Sequence, residues 1–210
     1  MKKYITEFIG TFFLVLTVGM VVNNGTGVMA PVAIGLVLAV MIYAGGHISG
    51  AHYNPAVTLS VLLRGRISAG QAISYMVVQI AGGTAAAFAV KYLLGDDKMP
   101  AEAIANPDAV KALIAEITGT FALAYVVLNV ATAKENIGNS YFGLAIGFTV
   151  TAMAYALGGI SGGAFNPAVA TGISFMKMAA WSDIWIYLVG CFGGAALAAI
   201  VFNMNNPEDK

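Results

Sequence analysis

A chain of 210 residues in which 59% are hydrophobic, only 10% are charged and the mean hydropathy is +0.82 is not an ordinary water-soluble domain; most of it must be solvated by lipid. Ten Lys and Arg balance ten Asp and Glu, so no excess of charge points to a nucleic-acid partner or an acidic substrate. The single Cys191 permits no intrachain disulfide and matches neither a zinc site nor a redox pair, and no cofactor or metal is implied.

In chain order, the first apolar run is Tyr4 to Val22, preceded by Lys2 and Lys3 as a secretory signal would be. It is long enough to span a bilayer, ends at Asn23-Asn24-Gly25 without an Ala-x-Ala site and carries Glu7, so it reads as a retained span. Val28 to Ala44 is the second span. After the Gly-rich segment Gly46 to Tyr53 comes an apolar stretch too short to cross, Pro55 to Leu63: at about 1.5 Å per residue, roughly nine residues reach about 14 Å, half of a bilayer core of roughly 30 Å. Ala69 to Leu94 is the third span, and an acidic, Pro-containing loop from Gly95 to Asp108 follows it. Val110 to Ala131 and Tyr141 to Leu157 are the fourth and fifth. Gly158 to Phe165 and Pro167 to Phe175 then repeat the Gly-rich segment and the short stretch, and Ile184 to Phe202 is the sixth span. Both short stretches open on Asn-Pro-Ala, at Asn54-Pro55-Ala56 and Asn166-Pro167-Ala168. Asn caps free N–H groups and Pro has none to lose, so each is a strong helix start.

The chain repeats itself. Glu7-Phe8-Ile9-Gly10-Thr11-Phe12 returns as Glu116-Ile117-Thr118-Gly119-Thr120-Phe121, and the segment from Gly46 to Val57 returns as Gly158 to Val169, both at nearly the same spacing. The pattern predicts one domain over 1–210, with a first repeat over about 4–94 and a second over about 110–202. Three full spans per half is an odd number, so the halves enter the membrane in opposite orientations. The two half-helices then arrive from opposite faces with their N-terminal ends meeting near the midplane, which is how a site forms in an inverted repeat. Irregular backbone at membrane depth is tolerated only where it lines a cavity or is buried in protein, so the carbonyls of the two Gly-rich segments are candidates for a pore wall.

The paired boxes in paired Gly-rich loops resemble those of the aquaporin and glyceroporin (major intrinsic protein) family over almost the whole chain. A single box is cheap, as Asn106-Pro107-Asp108 in an ordinary loop illustrates, but two are specific. Glu7 and Glu116 ahead of Gly-Thr-Phe, and Gln79 followed by Gly82-Gly83, support the match. The resemblance implies an all-α membrane protein with six transmembrane helices in a right-handed bundle and two re-entrant half-helices. It also implies homotetramers with one pore per subunit, and both termini in the cytoplasm. Short tails and a compact chain fit a prokaryotic inner membrane. Lys2, Lys3, Arg64, Arg66, Lys134 and Lys210 would face inward against Lys91, Lys98, Lys111 and Lys177 outward, a modest positive-inside bias.

Asn54 and Asn166 are candidate donors at the pore midpoint: capping fixes each side-chain oxygen on its own helix and leaves the amide N–H₂ to a passing solute. Gly50, Ala51, His52, Tyr53, Gly162 and Ala164 are candidates for pore-lining carbonyls. Glu7 and Glu116 would accept N–H bonds from their own re-entrant loops, with Gln79 as a further structural group, and a proton-relay role is the minor alternative. Of the two histidines, His47 and His52, the second matches a family position at the cytoplasmic mouth, where protonation near an ordinary pKa of about 6.5 can modulate flow. Gly82-Gly83, Gly119, Gly158-Gly159, Gly162-Gly163, Gly190 and Gly193-Gly194 read as close helix packing, and Trp181, Trp185 and Tyr187 as an interfacial belt.

Counting from the boxes, the family's selectivity-filter positions fall on Ile34, Ala154, Gly163 and Val169. Strict water channels of the family have an aromatic, a His, a small residue and an Arg there. Asn166-Pro167-Ala168-Val169-Ala170 is similar to the plant tonoplast aquaporins, some of which carry Val here, and unlike glycerol facilitators, which usually have Arg then Asp. The filter is therefore expected to be wide and apolar. Cys191 stands where many relatives have Pro. The expected function is a passive channel for water and small neutral solutes such as glycerol, urea or ammonia that excludes protons and ions. A secondary transporter of a small neutral solute, or a structural membrane protein retaining the fold, are the alternatives; no nucleophile-base pair suggests an enzyme.

Overall fold

The computed structural model describes residues 1–100, 105 and 108–209. Most of the 101–107 segment, with Asn106-Pro107, and Lys210 lie outside the described residues. In order the helices are α1 (Lys2–Asn23), α2 (Ala30–Ser49), α3 (Pro55–Leu63), α4 (Ala69–Leu94), α5 (Ala109–Thr132), α6 (Phe142–Ser161), α7 (Pro167–Phe175) and α8 (Ile184–Asn205). Six of them, all but α3 and α7, are long and apolar enough to cross a membrane. The chain is a multi-pass membrane protein, and an even number of crossings puts its two ends on one face.

Local chemistry sets the helix ends. Ser68 Oγ accepts the Gln71 N–H at 3.3 Å to start α4, and Asp108 Oδ1 accepts the Lys111 N–H at 3.1 Å to start α5. Both α2 and α6 end on glycines in the left-handed region, Gly50 with φ 89° and Gly162 with φ 91°. These stops lie later than the sequence suggests. The last turns, Gly46 to Ser49 and Gly158 to Ser161, are helical rather than irregular, so only residues 50–54 and 162–166 leave helical geometry. Within lipid a helix is the cheapest way to satisfy a backbone, and glycine's low helix preference does not outweigh that.

The contacts follow the repeat. Helix α1 packs on α2 and α4 as α5 packs on α6 and α8, while α2 and α6 cross one another. Each half-helix also packs on the last span of the opposite half, α3 on α8 and α7 on α4. Gly10 and Gly119 seat one aromatic ring each: a Cβ on Gly10 would lie 2.2 Å from the Tyr53 ring, and one on Gly119 would lie 2.2 Å from the Phe165 ring. Close packing also explains Gly82, Gly83, Gly190 and Gly194, whereas a Cβ on Gly158, Gly159 or Gly193 would meet nothing within 4 Å among the described residues of the chain. Trp181 and Trp185 are about half exposed, as a belt requires, whereas Tyr187 is buried and donates its hydroxyl to the Ser161 carbonyl at 2.7 Å. It belongs to the core.

Candidate functional site

Each short helix starts on its own asparagine. Asn54 has extended backbone, φ −155° and ψ 120°, and its Oδ1 accepts the N–H groups of Ala56 at 2.8 Å and Val57 at 3.4 Å. Asn166 does the same with Ala168 at 2.9 Å and Val169 at 3.4 Å. The amide nitrogens then cross to the other half: Asn54 Nδ2 donates to the Phe165 carbonyl at 2.9 Å, and Asn166 Nδ2 donates to the Tyr53 carbonyl at 3.0 Å. The sequence alone predicts both amide hydrogens of each asparagine free for a solute, and the structure differs. One hydrogen of each N–H₂ clasps the opposite loop, which leaves one per amide for anything in the cavity.

A carboxylate holds each loop in shape. Glu7 accepts from Ser49 Oγ at 2.6 Å, from the His52 N–H at 3.0 Å, from the Tyr53 N–H at 2.7 Å and from Gln79 Nε2 at 2.8 Å. Glu116 accepts from Ser161 Oγ at 2.7 Å, from the Ala164 N–H at 3.0 Å and from the Phe165 N–H at 2.7 Å, with Cys191 Sγ at 3.5 Å. Both carboxylates are fully buried and both oxygens of each are engaged, which offsets the cost of placing them there. The loops nonetheless hold Ala51, Tyr53 and Phe165 at φ 52°, 49° and 47°, a region that L side chains seldom adopt.

One cavity of about 1010 Å³ runs through this arrangement. Its wall begins at Asn23, Lys98, Met99 and Met178 on one face, passes Asn54 and Asn166, and ends at Ala133, Asn136, Asn139 and Phe142 on the other. Ile34, Ala154, Gly163 and Val169 all lie on it, as do Gly50, Ala51, His52, Tyr53, Gly162 and Ala164. Much of the remaining wall is aliphatic, including Leu38, Val57, Val127 and Ile173. His52 faces the cavity with Nδ1 3.1 Å from Thr58 Oγ1 and its ring edge-on to Tyr75, so a threonine and a tyrosine hold its orientation. Two short helices aim the positive ends of their dipoles at the cavity's middle, where the Asn amides sit.

Sequence reasoning missed several supports. Tyr75 and Tyr187 donate to the carbonyls of Ser49 and Ser161, and those serines bind the two carboxylates. The repeat carried this signal, since Ser49 with Ser161 and Tyr75 with Tyr187 stand at the spacing that separates the boxes. The same spacing pairs Gln79 with Cys191, which makes the thiol the second half's counterpart of the glutamine. Lys98, Met99 and Pro100 at the cavity entrance carried no sequence signal.

The profile of the Major intrinsic protein family matches residues 1–202. "Glycerol uptake facilitator protein-like 6" of Lactiplantibacillus plantarum is 36% identical over 100% of this chain and 100% of its own. "Aquaporin NIP1-3" of Oryza sativa subsp. japonica is 38% identical over 100% of this chain and 75% of its own. Nodulin-26 of Glycine max is 34% identical over 100% and 80%. The fold also superposes on the X-ray structure of the aquaglyceroporin from Plasmodium falciparum with a TM-score of 0.82, covering 99% of this chain and 97% of that one at 23% identity. The resemblance drawn from Val169 and Ala170 leads away from glycerol facilitators, yet whole-chain similarity includes a protein named glycerol uptake facilitator protein-like 6. Whole-length similarity, the shared fold and the duplicated boxes establish that this chain belongs to the Major intrinsic protein family.

Proposed function

We propose that this chain is a passive channel for water and small uncharged solutes that rejects protons and ions. The carrying observation is the continuous cavity with Asn54 and Asn166 at its middle and one uncommitted N–H on each amide. A neutral solute passing there exchanges hydrogen bonds with these donors, with loop carbonyls and with His52, while much of the remaining wall is aliphatic. A cation meets two positive helix ends: one net charge at about 5 Å with an effective dielectric of about 20 costs about 3 kcal/mol before desolvation. Neutral molecules avoid that cost.

Ile34, Ala154, Gly163 and Val169 supply the proposed filter. With two aliphatic side chains, a methyl and a hydrogen, it has room for solutes larger than water such as glycerol or urea, as well as for ammonia, and no side chain to bind them. Glu7 and Glu116 act as scaffold, because every oxygen already accepts donors from its own half. That speaks against a coupling ion and hence against a secondary transporter. Assembly as a homotetramer, cytoplasmic termini and a prokaryotic inner membrane remain part of the proposal, tested by native mass spectrometry and by protease access in sealed vesicles.

Proteoliposome shrinkage and swelling with water, glycerol and urea test the function. The expected result is flux of water and at least one larger solute with no ion gradient, unchanged by a protonophore. Flux that collapses with the protonophore, or vesicles no more permeable than protein-free ones, overturns it.

A further inference from the structure

On the face that carries both chain ends lies a charge cluster that the conduction path does not touch. Arg64, directly after α3, has a side chain only 3% exposed, and its guanidinium carbon sits 4.8 Å from the centroid of the Phe202 ring on α8. Its counter-ion is Asp209, in the tail after α8, with Nη2 2.8 Å from Oδ1; Arg66 reaches the same oxygen at 3.3 Å. The other oxygen, Oδ2, accepts the backbone N–H of Lys134 at 2.9 Å, and the Lys134 ammonium donates to the Glu208 carbonyl at 3.0 Å. One carboxylate thus ties together the end of the first half-helix, the tail and the start of the α5–α6 connection. Hydrogen bonding from the Lys134 N–H, with the Arg64 charge behind it, holds this carboxyl below the ordinary carboxylate range, so it is ionised at neutral pH.

That connection is the rim of the cavity. Ala133, Asn136, Ile137 and Asn139 line the opening, and the Asn136 and Asn139 side chains bind the Asn129 and Val130 carbonyls at the end of α5. Asp209 grips the rim at Lys134, next to wall residue Ala133, and grips α3 through Arg64. It is anchored on a guanidinium that burial makes intolerant of losing its partner.

We propose that Asp209 is a positioning residue for conduction, which fixes the rim at residues 133–139 relative to α3 and so keeps this mouth wide enough for solutes larger than water. The proposal rests on the channel reading above. Without the carboxylate the rim loses its tether at Lys134 and sags over the opening, which slows a bulky solute more than water.

The test is the ratio of glycerol to water permeability in the same vesicles, because that ratio does not depend on how many channels folded. Asp209→Asn is expected to lower the ratio roughly three- to tenfold, as loss of a charge-assisted hydrogen bond would. Asp209→Glu should restore most of it. Lys134→Pro removes the N–H donor, at the first position of a 3-10 turn where Pro fits, together with the ammonium's bond to the Glu208 carbonyl, and should match Asp209→Asn, whereas Lys134→Met, which loses the ammonium and keeps the N–H, should leave the ratio near wild type; the Asp209→Asn, Lys134→Pro double variant should be no worse than either single change. As a second readout, tryptic cleavage after Lys134 in detergent should be roughly five- to tenfold faster in Asp209→Asn than in wild type. A ratio that stays constant while both rates change in step overturns the proposal. If wild-type vesicles pass water alone, the broad-solute reading fails and the cleavage rate decides this one: no acceleration in Asp209→Asn overturns it.

Discussion

The two re-entrant loops share a scaffold and differ in what they show the pore. In both, a buried glutamate gathers a serine hydroxyl and two consecutive loop N–H groups, and a tyrosine hydroxyl seals the helix end. The first loop carries Ala51 at φ 52°, presents His52 to the cavity, and backs it with Thr58 and Gln79. The second has Gly163 at φ 65° in the place of Ala51, Ala164 in the place of His52, and Cys191 in the place of Gln79. The difference teaches that loop shape is set by backbone donors and one carboxylate. The wall side chains are therefore free to diverge, polar in one half and small in the other. The proposed filter, with three of its four residues in the second half, occupies the part with the least side chain.

The comparison breaks most visibly if the shared scaffold is removed. Glu7→Ala and Glu116→Ala each leave two loop backbone N–H groups without their acceptor, at a cost of roughly 3–5 kcal/mol, so neither variant should accumulate as folded protein in membranes. Detergent-extracted yield on size exclusion measures this. One half tolerating the change while the other fails would show that the carboxylates are not equivalent.

A change in the cavity wall should spare the fold and alter flux. Val169→Arg adds a charge that, at about 8 Å and an effective dielectric of about 20, is worth about 2 kcal/mol, or roughly thirtyfold in cation passage. Its bulk should also reduce glycerol and urea rates while water flux persists. Paired swelling assays decide it, and unchanged glycerol and urea rates would place the constriction elsewhere than at Val169.

The smallest effect separates the loops by backbone alone. Gly163→Ala puts a side chain at φ 65°, with its Cβ 3.1 Å from the Gly158 Cα, and should cost about 1 kcal/mol. Ala51→Gly relieves the matching strain and should shift stability less and in the opposite direction. Thermal unfolding in micelles reads both; shifts of the same sign would mean the loops are not strained alike.

Much of this is legible in the amino-acid sequence. The two boxes, Glu7 and Glu116 are local patterns that recur between the repeats, while the positions of the proposed filter come from the family resemblance, and all four of its residues line the cavity. The last turns of α2 and α6 were misread because Gly45-Gly46 and Gly158-Gly159 suggest loop, whereas lipid demands a bonded backbone. Tyr187 was misplaced because its aromatic neighbours Trp181 and Trp185 look interfacial, and only its match with Tyr75 reveals a buried role. The Arg64–Asp209–Lys134 tie joins distant residues with no motif, so only the fold could bring it to light.

The crossed bonds at the pore's middle bear on how the protein is made. Asn54 donates to a carbonyl 111 positions later in the chain, and Asn166 donates to one 113 positions earlier. At roughly 5–20 residues per second of synthesis, the first loop waits about 6–22 s before the residue that completes it exists. During that interval Glu7 can already hold the loop's own N–H groups, but the Asn54 amide and the Tyr53 carbonyl have no partner in the other half. The first half must therefore keep its half-helix near water or the insertion machinery until α7 arrives, and the closing of the pore becomes one of the last steps of biogenesis.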